Sequence, residues 1–229
     1  MNIKGIACAV AAGATLVVGT VAMPSAVTAA APPPLPFRNE LGLETSAALQ
    51  LQQEIEAALA KAPDAKQVSQ FEITWDGGKV LEAFPAPGQR QAPPMSDTAI
   101  RASAPNARAA KRQIKAKKRI QTRGSSSSCP WVPGGTKYYC FYEDADFNGR
   151  RLQWSYQYCY SYNYNRYINF ADYSFGNKAS SWVNNSNHNI SVFNGKNAGG
   201  ALLWNESRVS NSPYVGKPSN DKASSFKAC

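Results

Sequence analysis

Apolar residues recur at helical intervals at Leu41, Leu43, Ala47, Leu51, Ile55 and Leu59, and Pro63 ends the run. The spacing predicts one amphipathic helix. From Phe71 to Trp75 apolar and polar positions alternate, Asp76-Gly77-Gly78 supplies a hairpin turn, and Val80 to Phe84 alternates back before Pro85. Residues 31–84 therefore read as a small helix plus hairpin. A piece of this size buries little apolar surface alone, so it is expected to lean on another part of the chain. Residues 85–128 carry five Pro, a basic run and four Ser with no aromatic residue, the composition of a disordered linker. Ahead of all this, Lys4, an apolar run over residues 6–21 and the small residues Val27, Thr28 and Ala29 make residues 1–30 a secretory signal peptide. The apolar run falls short of the roughly 20 residues a spanning helix needs. The expectation is a secreted, extracellular chain with no transmembrane segment.

The last hundred residues contain a repeat. Tyr142, Phe147 and Gly149, followed by Arg150-Arg151-Leu152-Gln153-Trp154, correspond to Phe193, Ala198 and Gly200, followed by Ala201-Leu202-Leu203-Trp204. Each copy closes with nearly the same string, Asn177-Lys178-Ala179-Ser180-Ser181-Trp182 in the first and Asp221-Lys222-Ala223-Ser224-Ser225-Phe226 in the second. Two matched blocks in one order identify two copies of one structural unit. An aromatic at the head with a Gly seven residues on suits a strand that folds over in a tight hairpin beneath the ring. Short alternating strings on either side predict an all-β sandwich of two Greek keys over 129–229.

Charge separates the chain into distinct materials. Residues 32–100 hold 5 basic against 9 acidic side chains, 101–128 hold 9 basic and no acidic ones, and 129–229 hold 10 against 6. Most of the net +10 thus sits in the stretch read as a linker. No aromatic is interleaved there for base stacking, so a nucleic-acid partner is not expected. With a single His and no HExxH, GxSxG or P-loop motif, the chain is not expected to be an enzyme. Removal of Cys8 with the signal leaves Cys129, Cys140, Cys159 and Cys229, an even number that suits disulfides in an oxidising compartment. The expected pairs are Cys129 with Cys140, closing a short flap before the first strand of the repeat, and Cys159 with Cys229, tying the middle of the domain to the chain end.

The aromatic-x4-aromatic-x-Gly pattern with its serine-rich closing string resembles the Greek-key motif of the βγ-crystallin superfamily. The helix, the Trp75-Asp76-Gly77-Gly78 hairpin, the linker and the run Cys140-Phe141-Tyr142-Glu143-Asp144 to Trp154 are similar to secreted actinobacterial proteins of peptidase inhibitor family I36. The resemblance implies a βγ-crystallin-like domain and a proteinaceous inhibitor of an extracellular peptidase, a metallopeptidase in particular. It also implies paired calcium sites. Carried over, these use the side chains of Asn177, Ser180, Asp221 and Ser224 and the carbonyls of Lys178, Lys222, Glu143 and Asn194, an all-oxygen set that suits a hard cation. Only Asp221 among the four side chains brings a charge, and the same Asx and Ser residues serve equally as turn caps.

No reactive loop of the inhibitor family has a match here, which leaves residues 156–167 and 205–219 as the two long loops able to serve. Tyr156, Tyr158, Tyr160, Tyr162 and Tyr164 alternate and would form one face of a strand. Such a face suits stacking on sugar rings, so a cell-wall or glycan-binding antimicrobial protein is the rival function, and a calcium-binding structural module a further one. His188 lies in a polar turn and reads as plain surface.

Overall fold

The structure, a computed structural model, describes residues 34–121, 128–130, 137–155 and 167–228. The expected signal peptide, the alternating tyrosines from Tyr156 to Tyr164, Cys159 and Cys229 lie outside the described residues. The repeat supplies eight strands. They are β4 (Tyr138–Tyr142), β5 (Arg151–Ser155), β6 (Tyr167–Asn169) and β7 (Ser181–Asn184) from the first copy, and β8 (Ile190–Phe193), β9 (Leu202–Glu206), β10 (Ser210–Ser212) and β11 (Ser225–Ala228) from the second. All pairings are antiparallel, and the third strand of each copy crosses over: β10 pairs with β7, while β6 pairs with β11. Each sheet is thus built from three strands of one copy and one of the other, and the expected sandwich of two Greek keys is what the sequence forms.

Alternation along the strands fills the space between the sheets. Tyr139 and Phe141 on β4 and Trp154 on β5 point at the second sheet, where Phe226 and Phe170 meet them edge-on or tilted; Phe141 and Phe170 lie 4.8 Å apart, as do Trp154 and Phe226. In both copies the hairpin after the leading strand uses left-handed backbone at matching positions, Asp146, Phe147 and Gly149 in the first and Asn197, Ala198 and Gly200 in the second. A side chain at Gly149 would lie 2.8 Å from Asp144 Oδ2, which is why the turn takes Gly there. The two copies differ one turn later. Tyr139 pairs with Trp154, but Val192, which corresponds to Phe141, pairs with Trp204 after a bulge at Leu203, so the tryptophans of the two copies do not occupy equivalent places.

The N-terminal segment joins the first sheet. After helix α1 (Thr45–Lys61), strands β1 (Lys66–Ser69), β2 (Glu72–Trp75) and β3 (Val80–Ala83) form a meander whose last strand pairs with β5 over the register Val80 to Trp154 and Ala83 to Arg151. The first sheet becomes seven-stranded in the order β1-β2-β3-β5-β4-β7-β10, beside a four-stranded second sheet in the order β6-β11-β8-β9. The predicted helix and hairpin are both present, and the expectation that they lean on the rest of the chain is met by this shared strand edge. The described residues from Leu35 onward accordingly form one compact unit.

The disordered linker expected over 85–128 is corrected. Residues 97–121 hold two helices, α2 (Asp97–Ser103) and α3 (Ala107–Gln121). Ser96 caps the first by accepting from the Ala99 amide at 3.0 Å, and Asn106 caps the second by accepting from the Ala109 amide at 2.9 Å. Composition argued for disorder because charge and Pro dominate the stretch. What it missed is that Ala99, Ile100, Ala110 and Gln113 form inward faces that a sheet can cover. With these helices and the connecting chain in place, β2, β3, β4, β5 and β7 are buried on both faces. The outward residues of β5 meet this cover directly: Gln153 Nε2 lies 3.6 Å from Met95 Sδ, and Arg151 Nη1 donates to Pro93 O at 2.9 Å.

Candidate functional site

The two closing strings face one another across the sandwich in a pseudo-two-fold arrangement. The amide of Ser180 donates to Tyr142 O, and that of Ser224 donates to Phe193 O, each at 2.9 Å, so each string is clipped to the leading aromatic of its own copy. The first serine of each string then meets the Asx residue of the other. Ser180 Oγ lies 3.4 Å from Asp221 Oδ1, and Ser224 Oγ lies 3.0 Å from Asn177 Oδ1. Asn177 and Asp221 both take left-handed backbone, at φ 56° and 55°, an angle that Asx residues tolerate. The second serines, which sequence reasoning did not single out, lock the leading hairpins. Ser181 Oγ accepts from Phe147 N at 3.1 Å and donates to Asp144 O at 2.7 Å; Ser225 Oγ accepts from Ala198 N at 2.9 Å and donates to Gly195 O. Their signal was present, since both strings carry two serines and one hydroxyl suffices for the cross-string contact.

Chemically the two halves differ. Around the second string, Ser224 Oγ is also 2.9 Å from Asn194 O, so two neutral acceptor oxygens share a single hydroxyl proton that can satisfy one of them at a time. An oxygen-only donor set left short of hydrogens fits a hard cation. Around the first string, Glu143, Asp144, Lys178, Ser180, Asn220 and Asp221 line an open depression of about 580 Å³. Here Lys178 Nζ pairs with Glu143 Oε1 at 2.9 Å, placing an ammonium beside the carboxylates, whereas Lys222 Nζ turns away to Pro218 O at 2.7 Å. Among the described residues no three of His, Cys, Asp and Glu gather within metal-ligating range. All eight residues expected to form the paired sites thus lie on or beside the two strings, and one half is burdened with a cation of its own.

Arg150 adds a second cation to that half. Its Nε and Nη2 donate to the two carboxylate oxygens of Glu143 at 2.9 and 3.1 Å, its Nη1 lies 2.9 Å from Glu82 Oε1, and its guanidinium sits 5.7 Å from the ring centres of both Phe84 and Phe175. Burial pushes the Glu143 carboxyl up, but the bonds and charges of Arg150 and Lys178 outweigh that and hold it at about 2. Glu82 is pushed up to about 8 by burial, against the opposing charge of Arg150. Through this pair the N-terminal hairpin fixes Glu143, the residue whose carbonyl is expected in the first of the paired sites. Two adjacent arginines after Gly149 were the only sequence sign of it.

The expected Cys129–Cys140 bridge is present, with Cα atoms 5.9 Å apart, while the expected Cys159–Cys229 pair lies outside the described residues. His188 is not plain surface. It is half-buried in a turn where its amide donates to Ser186 Oγ at 3.2 Å and its carbonyl accepts from Asn184 Nδ2 at 2.8 Å. Of the two expected loops, 156–166 lies outside the described residues. The other is corrected: β9 and β10 take up most of its first half, leaving a turn at residues 207–209 and a second connection at 213–224. In that turn Val209 is 66% exposed and holds φ 52°, a conformation that a β-branched residue rarely adopts. The turn is pinned from beneath, with Val209 N donating to Ser186 O and Arg208 N to Asn189 Oδ1, both at 3.2 Å. Nothing in the sequence marks Val209, because strain is a property of backbone angles.

The model of peptidase inhibitor family I36 matches residues 123–205, the stretch from just past α3 into β9. No curated protein matches the chain. Solved structures similar to it include a betagamma-crystallin domain from Clostridium beijerinckii, at 22% identity over 40% of this chain and 97% of that one with a TM-score of 0.32. The beta gamma crystallin from Ciona intestinalis is similar at 17% identity over 40% of this chain and 99% of that one, also with a TM-score of 0.32.

Proposed function

We propose that this chain is a secreted inhibitor of a metallopeptidase, presenting the 207–209 turn to its target. The family-model match over residues 123–205 carries the reading and supports a peptidase inhibitor rather than an enzyme. Secretion is supported by the signal-like residues 1–30 and by the Cys129–Cys140 bridge, since disulfides persist in oxidising compartments. An inhibitor gains from a contact segment that loses little freedom on binding. A turn held at both ends by strands and from beneath by Ser186 and Asn189, with an aliphatic side chain displayed at its tip, meets that need. Its partner is a peptidase pocket that accepts an aliphatic residue.

Titrating a thermolysin-type metallopeptidase and a subtilisin-type serine peptidase with the full chain tests both parts. The metallopeptidase is expected to be inhibited and the serine peptidase not. Val209→Gly is expected to weaken inhibition by about tenfold or more, the loss of roughly one buried anchor contact, without lowering the melting temperature, because Gly suits a positive φ. Inhibition of neither enzyme overturns the reading, and full inhibition by Val209→Gly removes the turn from it.

A second proposal, compatible with the first, is that the oxygens gathered at the two strings bind calcium, those of Ser224, Asn177 and Asn194 at the second string and those of Asp221 and Ser180 at the first. Rotation of the Asn177 amide toward Ser224 is the ion-free alternative. A glycan-binding function would rest on the alternating tyrosines, whose placement lies outside the described residues.

A further inference from the structure

Helix α3 is anchored along one side. Ala110 and Gln113 are buried, and Lys117 Nζ is held by Asp97 Oδ1 at 2.8 Å and Met95 O at 2.9 Å. The opposite side carries Arg108, Lys111, Arg112 and Lys115, all exposed and none ion-paired among the described residues. Their spacing of i, i+3, i+4 and i+7 places them in one stripe of about 10 Å along the helix. No acidic residue occurs anywhere in 101–128, and Asp97, just before it, is taken by Lys117.

Such a stripe works against its own helix. Like charges at these intervals are unfavourable by about 0.2–0.5 kcal/mol per pair, and a helix kept only for packing gains nothing from displaying four of them without an interleaved Glu. We propose that the outward face of α3 is a binding surface for a linear polyanion carrying phosphate or sulfate groups. Arg offers a planar fork to a tetrahedral oxyanion and Lys a point charge, and the stripe alternates the two types along its length. A lipid surface is disfavoured because, among the described side chains, the exposed face carries no large apolar one to enter the headgroup boundary. Base reading is disfavoured because no aromatic residue lies between 85 and 128. The polymer is recognised by its charges alone, and the surface is independent of the 207–209 turn.

The test measures binding of the full chain to linear polyphosphate and to heparin over a salt series, with anionic phospholipid vesicles and polyglutamate alongside. The quadruple variant R108Q/K111Q/R112Q/K115Q is compared with a charge-matched control, K61Q/K66Q/K79Q/K196Q, built from exposed lysines elsewhere. Polyphosphate and heparin are expected to bind the parent and the control, with affinity falling steeply as salt rises. The quadruple variant should lose on the order of a hundredfold at low salt and reduce the slope of log affinity against log salt by about 3. It should melt at or above the parent temperature, since only repulsion is removed, so lost binding cannot be put down to unfolding. Equal losses in variant and control, retention of binding by the quadruple variant, or vesicle or polyglutamate binding as strong as polyphosphate binding overturns the proposal.

Discussion

Arg151 and Leu202 hold the same place in the two copies of the repeat, two residues past the hairpin glycine and paired with the leading aromatic, Tyr142 in one and Phe193 in the other. Their environments are the reverse of what their chemistry suggests. Arg151 is fully buried, whereas Leu202 is 51% exposed. The repeat fixes the backbone and leaves burial to whatever lies outside it. Over the first copy lies the N-terminal segment, which extends the sheet past β5 and covers its outer face; the outer face of the second sheet is covered less completely, and β9 is largely accessible. A position that is surface by strand alternation becomes interior when a neighbouring segment adds a layer, and the side chain there must bring its own partners. Arg151 does so through Pro93 O, Ser128 Oγ and Gln153 Oε1, with the Glu72 carboxylate close enough to act on its charge.

The sharpest way to break this comparison is to remove both side chains in turn. Arg151→Ala should cost about 3–5 kcal/mol, the range for breaking a buried charged network by deleting one partner. Leu202→Ala, which takes a mostly exposed aliphatic from a strand edge, should stay within about 0.5 kcal/mol. Chemical denaturation of the full chain measures both. Similar costs for the two would mean that the N-terminal cover contributes little, and that Arg151 is solvated in practice.

Much of the repeat half was readable because its constraints are local. A Gly at the hairpin, an aromatic at its head and a doubled serine each serve a backbone need that can be met in only a few ways, so Gly149, Gly200, Ser180 and Ser224 stand where spacing placed them. The N-terminal half was read only to its first contact. Alternation gave β2 and β3, but it could not show that β3 would pair with β5, and with no sheet in view the Ala and Ile positions of α2 and α3 looked too few to fold upon. The Arg150–Glu82 pair and the Glu143 it holds link sequence positions that no short motif connects. The same holds for the strain at Val209, which depends on the turn between β9 and β10 and not on the residues beside it.

A second contrast lies one residue past the leading aromatics, where Glu143 in the first copy corresponds to Asn194 in the second. Glu143 is depressed from 4.5 to about 2, so the stabilisation it provides is complete above the unfolded value and is lost as pH falls through the folded one. The window is therefore pH 4.5 down to 2, with up to about 3 kcal/mol at stake given that the side chain is 28% exposed. Stability measured across that window should fall in the parent and fall less in Glu143→Gln, which begins lower because Arg150 and Lys178 lose their carboxylate. The substitution Asn194→Ala should leave the acid limb unchanged in shape. An acid limb that is identical in Glu143→Gln would assign the loss to other carboxylates.

The smallest effect separates the two strings themselves. If calcium binds, the second string offers neutral oxygens from Ser224, Asn177 and Asn194, while the first offers the Asp221 carboxylate with Lys178 nearby. Neutral donors offset less of the ion's dehydration than a carboxylate does, so the site that includes Asp221 should be the tighter one, though Lys178 works against it. Extracellular modules bind calcium at about 10⁻⁴–10⁻³ M, and at ten times the dissociation constant one site stabilises by about 1.4 kcal/mol. Millimolar calcium should accordingly raise the melting temperature by a few degrees, and Asp221→Ala should lose most of that rise. Lys178→Gln sharpens the contrast: it frees the first string of its ammonium and should strengthen calcium binding there, with no change at Ser224. A titration with no heat and no melting shift at 10 times the upper end of that range would leave the serines and Asx residues as turn caps, with the rotated Asn177 amide donating to Ser224 Oγ and the Ser224 hydroxyl donating to Asn194 O.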